Sequence, residues 1–146
     1  MKKINLPPFA PTLIDSIRSI GYTFESAVAD IIDNSIAADA KTVTIRFSPY
    51  GDPYVAILDD GNGMTSDELT NAMRHGSCNP CDPRADDDLG RFGLGLKTAS
   101  LSQCRRLIVV SRQERKTFAR CWDLDIIYQD KDWTLLDLDS DEIANM

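Results

Sequence analysis

Between Val28 and Ala40 the chain reads VADIIDNSIAADA, which gathers Asp30, Asp33 and Asn34 into five positions. On a helix, Asp30 and Asn34 stand at i and i+4 and project side by side, a pair able to hold a cation and a water together. Two Asp and an Asn in mid-helix favour helicity less than Glu or Lys would. Geometry is therefore a better reason for their presence than propensity. At about 100° per residue, Asp30, Asp33, Asn34 and Ala37 fall opposite the stripe Val28, Ile31, Ile32, Ser35 and Ile36. Such a polar face, taken alone, reads as solvated.

Two further groups can do chemistry. Asp59-Asp60-Gly61-Asn62-Gly63-Met64 closes an apolar strand. A carboxylate there can accept a hydrogen bond from an amine, while bare glycine backbone lets a flat ligand approach. A plain strand-to-helix turn is the competing explanation. Gly90-Arg91-Phe92-Gly93-Leu94-Gly95-Leu96-Lys97-Thr98 opens a helix, and backbone N–H groups at the positive end of a helix dipole suit phosphate. Structural glycines are the alternative here. Neither common phosphate fingerprint fits: Leu96 separates Gly95 from Lys97, Thr98 stands where a third dinucleotide glycine belongs, and DPRADDD precedes in place of a strand.

The elements that must position these groups follow from periodicity and caps. PTLIDSIRSI reads as a helix ended by Gly21, and a second helix runs from an N-cap at Thr23 to about Ala38. KTVTIRF and YVAILDD read as strands around the turn SPYGDP. DDGNG carries hairpin signals, but Thr65 and Glu68 stand at capping-box spacing, so a third helix starts there. HGSCNPCDPRADDD is a long aperiodic loop, of the length that is usually functional. The glycine-rich segment then opens a fourth helix, and RRLIVVSR, TFARCWDLDI and DWTLLDLD finish as strands. This order predicts an α+β fold, an α/β two-layer sandwich over a single domain, 1–146.

Composition narrows the classes. Sixteen basic against twenty-three acidic residues give a net charge of -7, which opposes attachment to nucleic acid by bulk charge. The basic strip Arg105, Arg106, Arg112, Arg115, Lys116 and Arg120 reads as a solvated strand pair and its turn. Two lysines at the N-terminus precede no apolar run, and no segment approaches a membrane span. Four cysteines, two of them in CNPC, fit a reduced cytoplasmic chain. A zinc site from His75, Cys78 and Cys81 lacks a fourth ligand nearby.

D-x-x-D-N-S on a helix, then D-G-x-G after a strand, then a loop, then G-x-x-G-x-G-x-K, resembles the GHKL ATPase superfamily. That superfamily includes DNA gyrase B, MutL, the heat-shock chaperones of the ninety-kilodalton class, histidine kinases and MORC proteins. The resemblance covers roughly Phe24 to Arg112, and VADIIDNSIAADAKTVTI and GRFGLGLKTAS are phrased most like the MutL and MORC branches. It implies a Bergerat-type fold, a mixed sheet covered by helices on one face, that binds ATP and Mg²⁺. By the same resemblance Asp30 is the catalytic base and Asn34 holds Mg²⁺. Asp60 accepts from the adenine amine, Gly63 gives the ring room, and Met64 adjoins it. Gly90, Gly93, Gly95, Lys97 and Thr98 take the phosphates, and residues 75–92 form a lid whose closure couples ATP to a partner or to dimerisation. Nucleic acid enters as a partner by resemblance only, and no membrane is implied.

Three departures from the family pattern bear on activity. The base is a glutamate in the family and Asp30 here, and a misplacement near 1 Å can cost about a hundredfold in rate, so hydrolysis is expected to be slow. Asp33 and Glu25 are weaker candidates for the base. Ala37 stands where the MutL-like pattern has an aspartate, and such domains usually continue through a further strand or two past residue 146. The alternatives are a nucleotide-gated binding module with little hydrolysis, and a histidine-kinase-like phosphotransfer domain. The second would need its acceptor on another chain, since the sole histidine lies in the expected lid.

Overall fold

The computed structural model of the protein describes residues 2–4, 6–74 and 95–144. Pro11 sits in the first turn of α1 (Ala10–Arg18), where an absent N–H loses no helical bond. Thr23 caps α2 (Phe24–Ala37), its hydroxyl accepting from the Ser26 N–H at 3.2 Å. β1 (Val43–Ser48) and β2 (Tyr54–Asp59) pair antiparallel, with Val43 opposite Asp59 and Ser48 opposite Tyr54. The expected capping box starts α3 (Ser66–Met73): Thr65 and Glu68 each accept from the other's backbone N–H. After α4 (Gly95–Gln103) come β3 (Arg106–Gln113), β4 (Lys116–Asp123), α5 (Leu124–Asp130), β5 (Leu136–Leu138) and α6 (Ser140–Ala144).

Among the described residues the strands form two antiparallel sheets, β1-β2 and β3-β4-β5, where one mixed sheet was expected. The α+β layering itself holds. Leu107, Val109, Phe118 and Trp122 present one face of the larger sheet to Ala10 and Ile14 of α1, Leu69 and Met73 of α3, Leu101 of α4, and Leu124 and Ile127 of α5. Trp122 locks this face by donating its indole N–H to the Met73 carbonyl at 3.0 Å and meeting Trp133 edge-on at 5.9 Å. The opposite face holds a smaller cluster of Ala119, Cys121 and Leu138 with Ile143 of α6. Arg18 joins α1 to α4 by donating to the Leu101 and Cys104 carbonyls at 2.5 and 2.6 Å, orphan acceptors at a helix end.

The C-terminal third departs from the expected run of strands. TFARCWDLDI stops being a strand at Asp123, because that side chain accepts from the Asp125 N–H at 2.9 Å and so caps α5. Leu124 and Ile127, at i and i+3, are the buried face of this helix. DWTLLDLD supplies only a three-residue strand, and the last turn is helical. The basic strip is exposed as expected except at Arg120. Arg120, 7% exposed, lies on the helix-covered face and donates to Thr70 Oγ1 at 3.1 Å, to Ser66 Oγ at 2.8 Å and to Asp137. Arg105 pairs with Asp125. No helix among the described residues is long and apolar enough to cross a membrane.

The β3–β4 hairpin closes with Gln113 opposite Lys116, leaving Glu114 and Arg115 at φ 49° and 65°. That two-residue turn demands positive φ at both positions, which Asn and Gly meet with the least strain. Glu114→Asn with Arg115→Gly should raise stability by about 1–3 kcal/mol, given the left-handed cost per residue. Urea denaturation checks this, and an unchanged midpoint would count against strain in the turn.

Candidate functional site

The site is built outward from α2. Its buried line is Ala27 and Ser35, while Val28, Ile31 and Ile32 are half-buried and Ile36 is 53% exposed. The apolar stripe expected from the sequence is therefore rotated. α2 contacts both α4 and β2, and small residues at 27 and 35 suit close neighbours. This rotation leaves Asp30 half-buried while Asp33 and Asn34 are exposed. Among the described residues the Asn34 side chain has no hydrogen-bond partner, so its amide oxygen is available to a ligand.

Asp30 is not solvated alone. The Tyr22 hydroxyl donates to its Oδ2 at 2.5 Å. That carboxylate, followed by partial burial, pushes the Tyr22 phenol above its ordinary pKa, since ionising it would lose the bond and set two negative charges together. No sequence signal singled out Tyr22, whose partner lies beyond the i, i+4 spacing that a helix pairs.

At the end of β2 the two adjacent aspartates part company. Asp60 turns toward the start of β1, where its Oδ1 accepts from the Lys41 and Thr42 N–H groups at 2.6 and 2.8 Å. The Thr42 bond and then the Lys41 bond hold its carboxyl below the usual range. Asp59 instead meets α2: its Oδ2 accepts from Ser35 Oγ at 3.0 Å and its Oδ1 from the Gly61 N–H at 2.9 Å. Strand alternation was the available signal. Asp59 shares a face with Val55 and Ile57, and with Val43, Ile45 and Phe47 across the pair.

The following loop is pressed between α2 and β3. The Asn62 N–H reaches the Ala38 carbonyl at 2.9 Å, and a Cβ on Gly61 would lie 2.8 Å from that same oxygen. Gly63 has φ +68°, and a Cβ there would stand 2.2 Å from the Arg112 carbonyl oxygen. What Gly63 admits in this structure is thus the backbone of β3. Met64, half-buried, packs against the main core, and its N–H donates to Ser111 Oγ at 2.7 Å.

Of the phosphate candidates, Gly95 opens α4 and Thr98 lies half-buried in its first turn. Lys97 is 1% exposed, and its ammonium donates to the Ala72 carbonyl at 2.7 Å, in the last turn of α3. A cation is favoured there by the negative end of the helix dipole. Gly90, Gly93 and the expected lid, with His75, Cys78 and Cys81, lie outside the described residues.

α2 thus carries a half-buried carboxylate beside an exposed amide and is tied at Ser35 to a second carboxylate. Such a surface can polarise a water, donate an oxygen to a hard cation and accept from an amine. Residues 22–146 match the family described as histidine kinase-, DNA gyrase B-, and HSP90-like ATPase. Over 90 residues, 61% of this chain and 10% of the relative, the sequence is 31% identical to the ATPase morc-1 of Caenorhabditis elegans. It is 29% identical over 97 residues to the DNA mismatch repair protein MutL of Caldanaerobacter subterraneus, covering 64% of this chain and 16% of that one. The MutL protein of Paramagnetospirillum magneticum is 32% identical over 124 residues, 80% of this chain and 19% of that one. The chain spans between 10% and 19% of the length of these relatives.

Proposed function

Because the chain belongs to the histidine kinase-, DNA gyrase B-, and HSP90-like ATPase family, we propose that it binds ATP with Mg²⁺ against α2 and hydrolyses it slowly. The observation that carries this reading is the Ser35–Asp59 bond, which sets the carboxylate at the end of β2 against the helix bearing Asp30 and Asn34. Asp30 takes the proton of the water that attacks the terminal phosphate. The exposed amide of Asn34, without a side-chain hydrogen bond among the described residues, fits a hard, oxygen-seeking cation, and Mg²⁺ held there would neutralise phosphate charge. Asp59 takes the adenine amine in place of Asp60, whose Oδ1 is committed to the Lys41 and Thr42 N–H groups just before β1. With Ser35 and Gly61 already bonded, the Asp59 carboxylate retains lone pairs for a third donor.

Gly95 and Thr98 at the start of α4, with Gly90 and Gly93, receive the phosphates, while Lys97 ties α4 to α3. The same reading makes 75–92 a lid whose closure couples nucleotide state to a partner or a second copy. A binding module with little turnover is the second reading, favoured by the shorter aspartate at position 30.

Thermal-shift titration with Mg-ATP, Mg-ADP and Mg-GTP tests the binding step. Saturable stabilisation by the adenine nucleotides is expected, about 2.7 kcal/mol at a hundredfold excess over Kd. A flat response to all three would undo the reading. Asp59→Asn puts an amide donor where the carboxylate accepted, and should weaken ATP about 10- to 100-fold. Asp60→Asn should change it by less than about twofold, since its bonds are to backbone outside the site. The reverse pattern would return the adenine contact to Asp60.

A further inference from the structure

Tyr22 occupies the link between α1 and α2, and its main chain is held from both sides. Its carbonyl accepts from Gln103 Nε2 at 2.8 Å, at the end of α4, and the next residue, Thr23, caps α2. From that base the half-buried side chain puts its hydroxyl 2.5 Å from Asp30 Oδ2, in the second turn of α2. A tyrosine side chain has only two torsions, so anchoring its backbone and packing its ring determine where the hydroxyl stands. One oxygen of Asp30 is thereby tied to three elements, α1–α2 link, α2 and α4, and the other is left over.

We propose that Tyr22 is the positioning residue for Asp30, clamping Oδ2 so that Oδ1 is presented to the attacking water. The proposal rests on Asp30 acting as the base. Geometry supports the arrangement: a neutral hydroxyl that donates to one carboxylate oxygen fixes the plane of the group and leaves the second oxygen as the acceptor. So does the short side chain, because a carboxylate kept close to the backbone is brought to a reacting atom by orientation alone.

Tyr22→Phe keeps the ring and removes the hydroxyl. Turnover should fall by up to about a hundredfold while KM for ATP stays within about twofold, the split expected when orientation rather than binding is lost. In an Asp30→Asn background the same substitution should change residual turnover by less than about twofold, since the two act as a unit. A measurement without nucleotide accompanies these: NMR titration with ring-carbon-labelled tyrosine. Tyr22 should titrate above the ordinary value of about 10, and Asp30→Asn should bring it down. Tyr22→Phe with unchanged or raised turnover, in a protein that still depends on Asp30, overturns the positioning role. Tyr22 titration indifferent to Asp30→Asn overturns the pairing itself. Turnover that survives Asp30→Asn overturns the base reading, and this proposal with it.

Discussion

Asp30→Asn is expected to leave Mg-ATP affinity within a fewfold while turnover drops by about 10²–10⁴-fold, the usual worth of a general base. The amide has no basic lone pair to accept a proton at neutral pH, so the attacking water loses its acceptor. Little else should change. Asn and Asp have similar helix propensity, Asn Oδ1 can still accept from the Tyr22 hydroxyl, and removing a negative charge beside phosphates does not oppose binding. Phosphate release and nucleotide affinity, measured on the same preparation, give the two numbers. Turnover equal to that of the unsubstituted protein would eliminate Asp30 as the base. The companion change Asp30→Glu asks whether the missing methylene restrains the rate. A large gain would mean that it does, and no gain would count against the geometric argument.

Gly63→Ala should be the most damaging single methyl group in the described residues. The added Cβ would stand 2.2 Å from the Arg112 carbonyl oxygen and 3.0 Å from its carbon, both backbone atoms of β3, at a φ of +68°. A side chain could swing away from such a contact, but a strand cannot without giving up its pairing with β4. Left-handed strain and the displacement together should cost about 2–4 kcal/mol. Gly51→Ala is the control. Its φ is +69°, yet nothing lies within 4 Å of the new Cβ, so only the strain of about 1–2 kcal/mol remains. Urea denaturation of both variants separates the two contributions. Equal losses would mean that β3 accommodates the methyl group freely. A loss confined to Gly63→Ala beyond the strain would fix the loop after β2 as a wedge between α2 and β3, and nucleotide affinity should weaken with it.

Much of this was legible because it is local. Thr23 and Ser26, or Thr65 and Glu68, meet within one turn of helix, and the capping geometry appears where the sequence placed it. Asp123 carried the same kind of signal, yet the apolar run of TFARCWDLDI outweighed it in a reading by strand propensity. In the structure that polar residue ends the strand and opens α5. Helix and strand remain ambiguous in short apolar runs until a cap is given its weight.

The sequence by itself determined the family: D-x-x-D-N-S, the aspartate–glycine turn and the glycine-rich helix start occur in an order that depends on no tertiary contact. Tertiary structure decided which atoms face one another. Asp59 and Asp60 are chemically identical neighbours, and only the packing of β2 against α2 gave Ser35 to the first and left the second to the backbone just before β1. The same holds for Lys97, drawn to the end of α3, and for Tyr22, brought onto Asp30 by anchors on Thr23 and Gln103. Alternation and helical spacing state that two side chains share a face. They do not state which face the rest of the chain will cover, because that depends on contacts between residues far apart in sequence.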